Sequence, residues 1–220
     1  MKNLKTGYKL NGEVENPPPA LQKASQIGLL KFSNSDLKNL PDKNAIVILT
    51  FGTTVKEARE KNIDSIVQEI KNFFPDEKIF CSFTSHIIIK HIKSKEGFCE
   101  YKTPEETLEK LLSEGFTKIV LATLSIIPGI EYKYCVELFH EYKFKFKKII
   151  LTTPLMYWQG QKNFPDDIME VLKVLDFPAP KKDTAIFLMT HGTPDPSNAY
   201  YSVMQEKINF KSKKFFKTKI

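Results

Sequence analysis

Apolar residues along this chain bunch into short, nearly uninterrupted runs. They occupy residues 45–51, 78–84, 117–123, 147–153 and 184–190, and stretches of helical periodicity lie between them. A short apolar run without polar alternation fits a strand buried on both faces. Strands alternating with helices predict βαβ units, so the expected fold is α/β, with parallel sheets and flanking helices. Ile63, Ile66, Val67 and Ile70 recur at helical spacing within residues 55–74, and Pro75 ends that helix. Thr103-Pro104-Glu105-Glu106 is a capping box with proline at the first helical position, predicting a helix that runs to Gly115. Residues 132–142 and 165–175 supply two more helices. Ahead of the first run, residues 1–43 read as an irregular extension. Pro17-Pro18-Pro19 excludes regular helix, Ser33-Asn34-Ser35-Asp36 is turn-like, and only residues 20–32 there suit a short helix.

Two of the runs are copies. Ala185-Ile186-Phe187-Leu188-Met189-Thr190-His191-Gly192-Thr193 aligns without a gap on Ala45-Ile46-Val47-Ile48-Leu49-Thr50-Phe51-Gly52-Thr53, sharing Ala, Ile, Thr, Gly and Thr at matched places. The repeat implies a duplicated fold in which a buried strand feeds a Gly-Thr turn that opens a helix. One copy carries Phe51 where the other carries His191. Neutral histidine is the commonest metal ligand and a base near pH 7, which makes His191 the leading candidate for chemistry; the plain alternative is a turn histidine bonded to backbone. The first copy runs through four strands, whereas the second begins near Thr184 and reaches Ile220 after one strand and one helix. The expected organisation is therefore an extension (1–43), a first α/β lobe with a connecting segment (44–180), and the start of a second, truncated or frameshifted lobe with a Lys-rich tail (181–220). An open sheet edge in that lobe makes a homo-oligomer an expectation.

Composition narrows the function. A chain of 220 residues accommodates one large or two small domains. No stretch approaches the roughly 18 apolar residues of a membrane span, and the lysines near Met1 precede no apolar signal region, so a cytoplasmic protein with no membrane partner is expected. Cys81, Cys99 and Cys135 are odd in number and lack CxxC spacing, which argues against a disulfide framework and a thiolate metal site. The formal charge is +7, but Lys207, Lys211, Lys213, Lys214, Lys217 and Lys219 against Glu206 place most of it at the end of the chain. Arg59 is the sole arginine. Base-edge and bidentate phosphate contacts favour arginine, so no nucleic-acid partner is expected.

In an open α/β sheet, ligands bind outside the carboxyl ends of the strands. The loops there read Gly52-Thr53-Thr54, Ser85-His86, Leu124-Ser125-Ile126-Ile127-Pro128-Gly129, Pro154-Leu155-Met156-Tyr157 and His191-Gly192-Thr193-Pro194-Asp195-Pro196. None is a Walker or GxGxxG phosphate loop, so no nucleotide cofactor is indicated. A Gly-Thr turn can hold a carboxylate through backbone N–H groups. His86 shares the rim pattern, while His91 and His140 sit within helical patterns and read as surface.

The stretches Phe51-Gly52-Thr53-Thr54 with Glu57-Ala58-Arg59, Phe83-Thr84-Ser85, Thr103-Pro104-Glu105-Glu106, Ile126-Ile127-Pro128-Gly129 with Glu131-Tyr132, and Met189-Thr190-His191-Gly192-Thr193-Pro194 resemble the anaerobic cobaltochelatases of cobalamin biosynthesis, in order from about residue 44 to 205. The resemblance implies a chelatase-like architecture of two α/β lobes, the second incomplete here, with the tetrapyrrole between them. It implies a metal chelatase of the lyase class that inserts Co(II) into sirohydrochlorin, iron and nickel being the related alternatives. No organic cofactor is implied; the divalent metal is a substrate. His191 falls at the family's later histidine, as metal ligand and proton acceptor. Gly52, Thr53, Thr54, Ser125, Glu131, Gly192 and Thr193 fall at the expected substrate contacts. Departures from the family pattern are Ser125 where a histidine usually stands, and Asp195 where a second late histidine often stands. Asp195 reads first as a helix cap. Residues 154–162 offer Gln159 and no carboxylate. These departures favour a second reading, a non-catalytic tetrapyrrole- or metal-binding module; a Lys-tailed interaction protein whose α/β body is only a scaffold is the third.

Overall fold

The computed structural model describes residues 13–161, 163–175 and 186–216, with side chains up to residue 209. These residues divide into two compact units: 13–125 with 131–154, and 126–130 with 155–161, 163–175 and 186–216.

The first unit is built on a mixed five-stranded sheet. Strands β2 (Asn44–Thr50), β3 (Lys78–Phe83), β4 (Lys118–Thr123) and β5 (Lys148–Leu151) form its parallel part, and β1 (Leu30–Ser33) closes one edge, in the order β1-β5-β4-β2-β3. The four parallel strands fall in the first four apolar runs. Register places Val47 opposite Phe80 and Leu121, and Ile119 opposite Ile149, so these side chains share one face of the sheet. Val47, Leu49, Ile119, Leu121, Ile149 and Leu151 are all buried there. On that face the Ser82 hydroxyl donates to Thr107 Oγ1 of α5 (Pro104–Ser113) at 2.8 Å. The opposite face buries Ile48 and Phe83 in one cluster with Ile63, Val67, Ile89, Ile92 and Tyr101. Tyr101 stacks on Phe83, with ring centroids 4.0 Å apart.

Local signals set the helix ends. The capping box at α5 is present, with Thr103 Oγ1 accepting from the Glu106 N–H (3.2 Å) and Glu106 Oε2 accepting from the Thr103 N–H (2.9 Å). Helix α4 (His86–Glu96) is capped by Ser85 and ends at Gly97. The helix expected over 55–74 is divided: α2 (Lys56–Arg59) and α3 (Ser65–Phe73) flank a π-helical turn, Glu60–Asp64. Helix α6 (Ile130–Tyr142) starts two residues earlier than expected.

The leading segment differs from the reading of a helix over 20–32. Helix α1 is confined to Pro19–Ala24, and Leu30–Ser33 pairs antiparallel with β5. Leu30-Lys31-Phe32-Ser33 alternates apolar and polar residues, which suits an edge strand. Leu30 is buried, and Phe32 packs edge-on against Phe144 at 4.9 Å.

In the second unit, α7 (Asp167–Val174) and α8 (Ala199–Phe216) enclose Met156, Ile168 and Leu172, with Tyr200, Val203 and Met204 packed on them. A strand over 184–190 is not formed at 186–190; residues 184 and 185 lie outside the described residues. The cause is a missing ladder. Among the described residues of this unit the only β pairing is the isolated bridge Gln159↔Asp166, so the apolar run has no neighbour to bond. Phe187 is 86% and Met189 96% exposed, whereas the matching run in β2 is buried. Helix α8 extends into the Lys-rich tail, as far as Phe216. Among the described residues no helix is long and apolar enough to cross a membrane.

Candidate functional site

In the first unit the turn after β2 is shaped by Gly52. Its φ is +89°, and a Cβ there would lie 2.4 Å from Cδ2 of Phe83. Only glycine lets the backbone pass over that buried ring. Thr53 Oγ1 accepts from the Val55 N–H (3.2 Å), leaving its hydroxyl proton available to a ligand. The Thr53 carbonyl accepts from Arg59 Nη1 at 3.3 Å. Arg59, 5% exposed, also places Nη2 at 2.8 and 2.7 Å from the two oxygens of Glu96. That hydrogen bond raises the guanidinium pKa further, against the opposing effect of burial. The sole arginine is therefore an anchor for the Gly-Thr turn, a role its isolation in the sequence did not disclose.

At the end of β4, Thr123 Oγ1 donates to Ser125 Oγ (2.9 Å) and accepts from the Ser125 N–H (3.1 Å). Ser125 thus presents a neutral hydroxyl already tied to its neighbour. Glu131 is exposed in the first turn of α6, where the helix dipole favours a negative charge. Cys81, partly buried, and Cys135, buried, supply no reactive thiol. Burial pushes Cys81 up to about 12 and Cys135 up to about 11, so neither supplies a thiolate near neutral pH.

In the second unit His191 is exposed, and its Nδ1 lies 3.0 Å from the Gly192 carbonyl oxygen. A carbonyl can only accept, so Nδ1 carries the proton of the neutral ring and Nε2 carries the free lone pair. This is the backbone-bonded turn histidine considered from sequence, and the same bond fixes the tautomer that a metal ligand needs. Gly192 has φ +71°, and Thr193 Oγ1 accepts from the Asp195 N–H at 3.2 Å. The repeat thus survives as local geometry: in both copies a glycine at positive φ precedes a threonine whose hydroxyl oxygen takes the N–H two residues on. Asn198 Oδ1 accepts from the Thr193 N–H (3.1 Å), and Asp195 Oδ1 caps the short 3-10 turn Pro196–Asn198 by accepting from Ser197 N–H (2.9 Å).

The connecting loop around Gln159 is held by two carboxylates from α7 and its cap. Asp167 Oδ2 accepts from the Tyr157 and Trp158 N–H groups (3.0 and 2.7 Å), while Asp166 caps Met169 and pairs with Lys207. The carboxylates missing from residues 154–162 therefore lie next to the loop in structure, engaged in holding its backbone.

Gly52, Thr53, Thr54, Ser125 and Glu131 belong to the first unit, and His191, Gly192 and Thr193 to the second. Among the described residues no group of three His, Cys, Asp or Glu side chains converges as a metal cage. His191 offers one imidazole. A cluster that sequence reasoning did not assemble sits in the first unit: His86 Nε2 lies 3.5 Å from Tyr134 Oη and 3.9 Å from Glu105 Oε2.

A family model described as cobalt chelatase (CbiK) matches residues 44–219. A sirohydrochlorin cobaltochelatase of Salmonella typhimurium strain LT2 is 27% identical over 162 residues, covering 74% of this chain and 60% of the relative. The chain thus spans under two thirds of that relative's length.

Proposed function

This chain belongs to the cobalt chelatase (CbiK) family, and from that premise we propose that it presents a divalent cation, cobalt(II), on His191 for insertion into a sirohydrochlorin-type tetrapyrrole. The observation that supports this most is the His191 tautomer: Nδ1 is committed to the Gly192 carbonyl, leaving Nε2 to bind. A single imidazole suits a metal that must be released. As the ion leaves Nε2 and forms bonds to the macrocycle nitrogens, two pyrrole N–H protons depart. The vacated Nε2 lone pair takes one, and water takes the other. Bond-making and proton loss then balance with no organic cofactor. In this reading each Gly-Thr turn offers its own unit's polar groups to peripheral carboxylates of the pigment: Gly52-Thr53-Thr54 in the first unit, and the Thr193 hydroxyl beside Gly192 in the second, where the Thr193 N–H is already taken by Asn198. Glu131 adds an exposed negative charge to the first unit. Ser125 contributes a hydroxyl contact only.

A second reading, a tetrapyrrole- or metal-binding module without turnover, draws support from Ser125, whose hydroxyl is paired with Thr123 where a histidine usually stands. Both readings are tested together by mixing the protein with sirohydrochlorin and Co(II) and following visible absorption. Insertion faster than the spontaneous rate, abolished in His191→Ala, supports the chelatase. Pigment binding without faster insertion supports the module, and no binding refutes both. The exposed run 186–189 favours self-association; a well-folded monomer in size-exclusion chromatography would count against it.

A further inference from the structure

We propose that His86 and Glu105 form a second divalent-cation site, within the first unit and independent of His191. Three helices supply it. Helix α4 opens with His86 just past the carboxyl end of β3. Helix α5 opens at the same rim, because Lys102 bridges Ser82 and its carbonyl accepts from the Phe83 N–H at 3.0 Å. Helix α6 contributes Tyr134, whose hydroxyl donates to Glu105 Oε1. A phenol is protonated at neutral pH, so Tyr134 is a donor to this carboxylate.

The unexplained atom is the other carboxylate oxygen. Glu105 Oε2 is buried and accepts no hydrogen bond. The cap of α5 does not account for it, since Thr103 and Glu106 complete the capping box. A buried acceptor without a partner is costly, and a cation bound to it would remove that cost. His86 Nε2 lies 3.9 Å away. A first-row dication sits about 2.0–2.2 Å from an imidazole nitrogen or a carboxylate oxygen, so it spans that gap at an open angle, and at a tetrahedral angle after closure by about half an ångström. Tyr134 then acts as the positioning residue, fixing the carboxylate through Oε1 so that Oε2 is presented.

The donor set narrows the ligand class. Imidazole with carboxylate suits Co(II), Ni(II) or Zn(II), whereas Mg(II) and Ca(II) prefer all-oxygen shells. A solvent-open depression of about 300 Å³ beside His86, lined by Lys90, Lys93 and Glu106, gives a hydrated ion access. The two ammonium groups there favour an anionic third ligand. With only two protein donors the site exchanges its ion readily, which suits capture and hand-on of metal rather than storage.

The test is an NMR titration of the full chain with cobalt(II) chloride, reading paramagnetic broadening of the His86 ring protons. Broadening at substoichiometric cobalt is expected in the wild type and equally in His191→Ala. Tyr134→Phe should weaken binding roughly tenfold, and Glu105→Gln by at least about that factor. His86→Ala, a change at an exposed side chain, should remove one equivalent of bound cobalt while leaving the circular dichroism unchanged. Magnesium chloride should leave the His86 signals in place. Unperturbed His86 protons at millimolar cobalt would overturn the proposal, as would equal cobalt stoichiometry in His86→Ala or undiminished binding in Glu105→Gln. Because His191→Ala keeps this signal, failure of the insertion reading and failure of this site are separable.

Discussion

Replacing Gly52 by alanine should destabilise the first unit far more than the same change at Gly115. Both glycines have positive φ, +89° and +77°. An L-residue in the left-handed region costs about 1–2 kcal/mol, and alanine's gain from a less flexible unfolded chain is common to both sites. The two differ in space. A Cβ at Gly115 meets nothing within 4 Å, whereas one at Gly52 falls 2.4 Å from a ring carbon of Phe83. Phe83 is fully buried and backed by the stacked Tyr101, so the ring has nowhere to withdraw. Overpacking of this kind adds about 1–3 kcal/mol, giving about 2–5 kcal/mol for Gly52→Ala against about 1–2 for Gly115→Ala. Urea unfolding of both variants, followed by tyrosine fluorescence and circular dichroism, measures the difference. Equal losses, within about 0.5 kcal/mol, would refute the claim that Phe83 closes the turn.

Arg59→Ala should cost about 2–4 kcal/mol, less than a fully buried pair because Glu96 is partly exposed, and should speed hydrogen exchange at the Val55 N–H. Arg59→Lys should recover little of it, since one ammonium cannot serve both the Thr53 carbonyl and Glu96. Asp42 has its carboxyl held below the ordinary 3.8 by hydrogen bonds from Lys118 and Lys147. A depressed folded-state pKa means that its contribution is present above the unfolded value and fades as pH falls through the folded one. Acid titration should therefore show an Asp42 midpoint below 3.8, and Asp42→Asn should flatten the loss of stability in that acidic window. Burial, reinforced by Lys23 and Lys143, lowers the His140 pKa from 6.5, so its imidazole should titrate below that value by NMR; a midpoint at or above it would contradict the packing around α6.

What sequence could disclose follows the range of the forces involved. The four parallel strands announce themselves because burial on both faces demands continuous apolar residues. The α5 cap is legible because its partners, Thr103 and Glu106, are three residues apart. Strand β1 was hidden because four alternating residues become a strand only beside the open edge of β5. The run at 186–190 shows the converse: the β2 pattern is repeated, but a ladder needs a neighbour, and none is supplied among the described residues of its unit. The Gly-Thr turns were visible through the repeat, and their matching hydrogen bonds follow from residues two apart. Arg59–Glu96 and His86–Glu105–Tyr134 were not visible. Their members lie on different helices and are brought together only by sheet order.

The central claim is that the lone pair on His191 Nε2 takes the metal. Cobalt K-edge X-ray absorption on Co(II)-loaded protein in a His86→Ala background isolates that ligand. The account predicts one imidazole in the cobalt shell, lost on His191→Ala; an imidazole shell that persists in the double variant, or none in the single one, would contradict it.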